Sequence, residues 1–488
     1  MNGDFARITF DPGSAYSRVL LQQGRMLLES DFNEQSAIHQ HFLRSLVIDL
    51  VGRCWRAGEQ SFSIAPGDAT DFKIGAGRFY VDGIPCDNTR PDLTYRNQSP
   101  WGPLLDEEGP VEAGFLIYLE CWERHLSAVQ RPAIREIALG GPDTATRAKI
   151  EWQVHVLDGE RAKRRADDAA RALDARQKAL PDGPEKTRAK ADADALAAAL
   201  DKFVKSLGKK PTAAQEKEAC RTMQAMLDGL DAAGPSLRAR ARHDASEDDP
   251  CAISAEAEFR SRENQLYRIE IHRGGIAGVG GATFKWSREN GSVQFAVRSI
   301  AASKTGSTIQ LDGLGHDRRT GLCEGNWVEL TGDAVEFGRA APVLGRIESI
   351  DRERESVTFV VADGETATVD PKIHTLLRRW DQSGELAASG SIAIAESASE
   401  NDGWIALERG VEIQFAPGAI YNAGDYWVAA GRAASRHVEW PHAANGTAAW
   451  QPTLGTVRHR AALAVGRKGP AYQSCGCTVT SLCDQMET

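Results

Sequence analysis

The sequence predicts a mainly β, multi-domain protein of β-sandwich and small-barrel modules, with an N-terminal helix and an inserted α-helical hairpin or three-helix projection. Three observations carry this. Short apolar or alternating segments bounded by glycine, asparagine and aspartate recur from about Ser61 to Ala464. One long stripe at helical spacing precedes them. Between Asp158 and Pro250 the texture changes abruptly: all eleven tryptophans lie outside this stretch, Phe203 is its only aromatic, and alanine and charged residues dominate. At 488 residues the chain exceeds one ordinary core, so several domains are expected.

The first helix is expected to begin near Ser30, with Asp31 and Glu34 as a capping-box-like start, and to run to about Val51. Ile38, Phe42 and Leu46, with Leu43, Val47 and Leu50, form its apolar stripe. A stripe this wide must be buried, either on the chain's own β domain or in a bundle with symmetry mates. Phe72–Gly83 reads as aromatic-bearing strand between glycine turns, Phe115–Trp122 as a central strand, and Trp152–Val156 as an alternating one. In the alanine-rich stretch, Leu196, Leu200, Phe203 and Leu207, then Cys220, Met223, Leu227 and Leu230, keep helical spacing. Pro181–Pro184 and Gly208–Pro211 break it into three helices. Such an insertion either touches a neighbouring subunit or is a solvated decoration.

Asn290-Gly291 is a strong hairpin signal, and a two-residue turn there sets Trp286 opposite Phe295 and Phe284 opposite Val297. Thr308–Leu311, Trp327–Leu330, Leu344–Ile347 and Val357–Val361 read as a small curled barrel. Ile405–Glu408, Val411–Phe415 and Tyr426–Val428 belong to a final β region. The expected division is 1–60 (extended segment and helix), 61–157 and 251–306 (two parts of one β domain), 158–250 (insertion), 307–365 (barrel), 366–470 (C-terminal β domain) and 471–488 (cysteine-bearing tail).

A formal charge of −10 argues against a nucleic-acid partner. No apolar run approaches the ~20 residues that span a bilayer, and Met1–Phe10 lacks a secretory pattern, so cytoplasmic synthesis without direct membrane insertion is expected. Nine scattered cysteines fit reduced thiols better than a disulfide framework.

The opening residues Gly3–Pro12, Tyr16–Arg25 and Leu27–Gln35 resemble those of an uncharacterised family encoded in gene clusters for phage-tail-like (contractile injection system) particles. There the pattern opens baseplate- or fibre-type components. The resemblance continues through Trp122–His125, Ile134–Glu136, Ala138–Arg147, Glu263–His272, Phe284–Gly291, Gly325–Leu330, Arg378–Gln382 and Gly424–Trp427. It implies a structural subunit of such a particle that assembles with other baseplate or fibre proteins and with copies of itself; if the chain reaches the outside, it does so in a particle or by lysis. Some relatives continue into a fibre-like region absent here, which favours an adaptor or baseplate-peripheral part.

No catalytic residue and no cofactor are expected. His39 and His41 point to different sides of the helix, Glu270 and His272 share a strand face best read as solvated, and Gly274–Gly281 has no following helix to hold an anion. Cys475, Cys477 and Cys483 are the weak candidates for a metal, with free thiols or a tail disulfide as the more ordinary reading. The N-terminal residues Phe5, Arg7, Phe10, Tyr16 and Arg18 are the candidate interface, since aromatics and arginines are enriched at interface cores; the alternative is that they pack on their own domain. A carbohydrate- or surface-recognising tip module using exposed aromatics is the second functional reading, and a glycan-degrading enzyme the third.

Overall fold

The structure is a computed structural model that describes residues 3–66, 71–98, 115–158, 213–229, 234–242, 258–278, 281–302, 306–317, 319–362, 369–383, 390–466 and 472–479, with isolated helical positions between 167 and 202. It is mainly β, as the sequence predicts. Two compact units divide it: Met1–Arg7 with His125–Ala148 and Gly234–Gly455, and Ile8–Arg124 with Lys149–Ala233 and Thr456–Thr488.

The second unit is a sandwich. Phe115–Leu126 lies between His459–Gly466 and Arg147–Asp158, with Tyr472–Ser474 at one edge. The other sheet orders Cys477–Val479, Cys54–Ala57, Gly77–Val81 and Ile84–Asn88. Alternation decides the packing: Ile117 and Leu119 join Phe62, Phe79, Val154 and Leu463 in the inter-sheet core. Leu116 and Tyr118 face the other way, onto Met223, Met226 and Leu227 of the helix Ala213–Gly229. A strand buried on both faces needs the near-continuous apolar run that marks it in the sequence.

That helix corrects the projection expected at the end of the insertion. It docks on the sheet, and Gln224 holds it there, accepting from the Ala462 N–H (3.0 Å) and donating to the Arg460 carbonyl (2.8 Å). The Leu196–Leu207 helix and Leu230 lie outside the described residues apart from isolated positions. Strand structure resumes at Ser236–Ala241 rather than after 250.

The first unit holds a second sandwich and a barrel. One sheet orders Ile392–Ala393, Thr283–Ser287, Gln265–Arg273, Tyr426–Arg432 and His437–Glu439; the other orders Ile405–Glu408, Val411–Phe415, Ser236–Ala241 and Gln451–Pro452. Tyr267, Phe284, Trp286, Phe415 and Trp427 fill the space between. Six strands close the barrel in the order Gln294–Ala302, Ser307–Leu311, Ser356–Val361, Val343–Asp351, Trp327–Thr331, Leu376–Trp380. The four expected strands are present, and two more come from outside the expected boundaries. Gly345 is required there, since a Cβ would lie 2.4 Å from the Phe359 ring that plugs the barrel.

Asn290-Gly291 forms its turn but not the expected hairpin. Both residues have positive φ (49° and 65°), and Ser292 N–H closes on the Glu289 carbonyl at 2.9 Å. The flanking strands then part: Thr283–Ser287 pairs with Gln265–Arg273, whereas Gln294–Ala302 pairs with Ser307–Leu311 and Leu376–Trp380. Trp286 therefore stands opposite Ile269, and Phe295 opposite Leu377. The turn links sandwich to barrel, because longer partners offered both strands more pairing than they offer each other.

Candidate functional site

The N-terminal segment and first helix build the most distinctive surface of the second unit. The helix spans Glu29–Leu50, and its N-cap is Leu28 without a side-chain cap, so the expected capping box is absent. Glu34 accepts instead from the Thr9 hydroxyl, and Gln35 accepts from Val19 N–H at 2.8 Å, which lays the preceding segment along the helix. Arg44 and Gln40 both reach Glu123 Oε1 (2.9 and 3.0 Å), fixing the helix to the end of the central strand. Gly83, at φ +74°, presses on the Arg44 backbone; a Cβ there would sit 2.9 Å from it.

Of the expected stripe, only Ile38 is buried, at 5% exposure, whereas Phe42 (66%), Leu43 (61%), Leu46 (43%) and Leu50 (75%) face outward. The rest of the segment continues this character. Thirteen of the eighteen exposed large hydrophobic residues among those described fall between Ile8 and Val51.

The expected interface residues separate. Phe5 and Arg7 belong to the first unit, where Phe5 is half-buried with its ring edge-on to His125 (centroids 6.3 Å apart). Phe10, Tyr16 and Arg18 belong to the second: Phe10 packs beside His41 at 5.7 Å, while Tyr16 and Arg18 are exposed.

Within the first unit the surprise is charge. Glu270 and His272 do not share a solvated face; both are buried, at 6% exposure. Glu329 and Arg378, from the barrel strands Trp327–Thr331 and Leu376–Trp380, are buried in the same network as Lys285 of the adjacent sheet strand. Lys285 Nζ pairs with Glu329 and with Glu270 (3.3 Å), Arg268 Nε donates to Glu270 at 2.6 Å, and Trp380 Nε1 donates to Glu329 at 3.2 Å. Burial pushes the Glu270 carboxyl up, but Arg268 and Lys285 outweigh it and hold the group below its usual range. Glu329 is likewise held low against burial by Lys285, His272 and Arg378. Beside this network, Asp381 pairs with Arg379 (3.2 Å) and Arg288 (3.3 Å). Four of the sequence blocks quoted above, separated along the chain, thus meet in one buried cluster. Its signal in the sequence is charge inside otherwise apolar strands.

The second unit carries a smaller network. Burial pushes the Glu120 carboxyl up, yet Arg458, His155 and Arg460 hold it at about 2. Asp82, also opposed by burial, is held at about 2 by hydrogen bonds from His459 (2.8 Å) and Arg53 (2.7 Å). Near this Asp–His pair the Cys54 thiol is pushed up to about 12 by burial, the reverse of what an activated nucleophile needs.

Cys475 forms a disulfide with Cys220, 255 residues away, which corrects the reduced-thiol expectation for these two residues and removes Cys475 from the weak metal candidates. Cys477 is a free, exposed thiol, and Cys483 lies outside the described residues. Among the described residues, no group of three or more His, Cys, Asp or Glu could hold a metal ion, and no helix is long and apolar enough to cross a membrane. Because the disulfide closes a very long loop, Cys220→Ser is expected to cost about 2–4 kcal/mol in oxidising buffer and almost nothing under reductant, measured by urea unfolding. Equal stability of variant and parent in oxidising buffer would exclude the bond.

Among the described residues, the β-sandwiches and the barrel therefore hold clusters of buried, mutually paired charges, and most exposed large hydrophobic residues gather at one end of the sequence. The chain belongs to the family of unknown function DUF6519, which it matches over residues 1–488. No curated protein matches it. Among solved structures it is similar to a chain of the type VI secretion system TssK–TssF–TssG baseplate subcomplex (12% identity, 43% of this chain, 87% of that one, TM-score 0.18). It is also similar to crystalline TssK (8% identity, 82% of this chain, 98% of that one, TM-score 0.17). TM-scores this low describe no shared overall fold.

Proposed function

We propose that this protein is a structural subunit of a contractile, phage-tail-like injection particle, at the baseplate or as an adaptor for fibres, and that it is not an enzyme. It works by assembly with other particle proteins and with copies of itself, after synthesis in the cytoplasm. One observation carries the reading beyond the sequence resemblance. Among the described residues, thirteen of the eighteen exposed large hydrophobic residues lie in Ile8–Val51, a concentration of the kind that marks association surfaces.

The carbohydrate reading needs exposed aromatics, and the tryptophans do not supply them. Apart from Trp101, which lies outside the described residues, every one is buried or half-buried. Two half-buried ones, Trp404 and Trp450, already stack on Arg238, at 5.0 and 4.5 Å.

The test is gradient purification of sedimentable particles from producing cells, followed by mass spectrometry. Co-migration with sheath and tube proteins, at a stoichiometry far below the tube subunit, is expected. Recovery only as a discrete soluble species would overturn the proposal.

A further inference from the structure

The helix Glu29–Leu50 has two opposite faces. At about 100° per residue, Ala37, Ile38, Ser45 and Ile48 point one way, and all four are buried or half-buried. Opposite them stand Phe32, Ser36, His39, Leu43, Leu46 and Leu50, spaced 4-3-4-3-4, and all six are exposed. Alternating steps of three and four are the pattern of a coiled-coil seam, in which such residues insert between those of a facing helix. Among the described residues of its own unit this helix meets no such partner on that side, as the exposures of Leu43 (61%) and Leu50 (75%) show.

The geometry points to a second copy of this chain as the occupant, its Glu29–Leu50 helix lying parallel and in register along the seam. The inference rests on reading this end of the protein as an assembly surface, and adds who the first partner is. Register is the first argument. Parallel in-register pairing sets Leu43, Leu46 and Leu50 against their own counterparts and gathers Ser36 and His39 into polar layers. Antiparallel pairing would oppose Leu46 to Ser36 and Leu43 to His39, burying each polar group against a leucine. The polar layer is already organised, since Gln35 Nε2 lies 3.0 Å from His39 Nε2. Polar groups at single seam positions are a known means of setting register.

Charge is the second argument. The flanking positions are Gln35, Phe42 and Asp49 on one side and Asn33, Gln40 and Val47 on the other. Asp49 is the one charged residue among them, so no pattern calls for a partner of opposite sign and little repels an identical helix.

Area is the third. Phe32, Phe42, Leu43, Leu46 and Leu50 extend into Leu20 and Leu21, which follow the Val19 N–H that donates to Gln35. Together they offer on the order of 1,000 Å² of apolar surface, against ~800 Å² that each partner of a standard interface buries.

The test uses the full chain, purified alone in a Cys477→Ser background that removes the exposed free thiol among the described residues. Light scattering during size-exclusion chromatography should give an integer multiple of the protomer mass at micromolar concentration. The Leu43→Glu/Leu46→Glu variant should fall to the protomer mass with its far-ultraviolet circular dichroism unchanged, because both side chains are exposed in the protomer. Independently, His39→Cys should cross-link two chains under mild oxidation, while Ile48→Cys, on the opposite face, should not. A parent protein that is monomeric at tens of micromolar overturns the inference. So does an oligomer that survives both glutamates, or a His39→Cys chain that fails to cross-link; if the double variant misfolds, the cross-link decides. A monomer that still co-migrates with particles would sink this pairing and leave the particle role standing; an oligomer absent from particles would do the reverse.

Discussion

Replacing Lys285 by methionine is expected to destabilise the first unit by about 3–5 kcal/mol, seen as an earlier urea midpoint with little change in slope. Methionine fills much of the lysine stem, so packing is not the main loss. The cost arises because Glu329 and Glu270 remain, both less than a tenth exposed, without the ammonium that lies between them. Arg268 still serves Glu270, and Trp380 still donates to Glu329, but neither supplies the missing charge at the shared position. Adding Glu329→Gln to Lys285→Met should recover part of the loss, since a neutral amide costs less to bury than an unpaired carboxylate. Such non-additivity in a double-mutant cycle is the signature of direct coupling. A loss below 1 kcal/mol for Lys285→Met would mean that water reaches the cluster and that the buried network is not real.

The second large effect is a dependence on pH between neutrality and mild acid. Burial, with Arg378 and Arg268 nearby, holds the His125 imidazole down at about 3, against an ordinary value of 6.5. Between those limits the unfolded chain binds a proton that the folded one refuses, so stability rises with pH there. The contribution is complete above about 6.5 and is lost progressively as pH falls towards 3. At pH 4.5 the deficit should reach at most about 2–3 kcal/mol relative to pH 7.5. A thermal-unfolding series over this range should show the slope in the parent protein and a shallower one in His125→Gln. Below pH 4.5 a second decline is expected in both, as Asp82 and Glu120 approach their values of about 2. Identical slopes for parent and variant would show that His125 is solvated and that the Phe5 ring does not cover it.

Much of the architecture was legible from local chemistry. The apolar run around Phe115–Trp122 announced a strand buried on both faces, and it is one. The positive-φ turn at Asn290-Gly291 followed from residue type alone, since asparagine and glycine tolerate that backbone where others do not. The N-terminal helix lies within a residue or two of its expected ends.

What the turn joins was not legible. A hairpin signal reports the backbone between two strands, and pairing is settled by whichever edges offer longer complementary strands. Here those edges are Gln265–Arg273 for one strand and Ser307–Leu311 with Leu376–Trp380 for the other, and Leu376–Trp380 begins 85 residues beyond the turn. Glu270 and His272 show the same limit. Alternation says that they share a face, but whether that face meets water depends on what covers it, and neighbours distant in the chain bury it. Helical spacing in Ile38–Leu50 likewise marked an apolar stripe without saying which part turns inward.

By itself the sequence determined the element types, the β character, the N-terminal helix and the turn geometry, because each depends on residues within a few positions of one another. Only the tertiary structure decided that scattered charges are buried together, that Cys475 is joined to Cys220, and that the leucines of the first helix are left facing out. These outcomes depend on contacts between segments up to several hundred residues apart, and the free energy of burying a group is a property of what surrounds it in space.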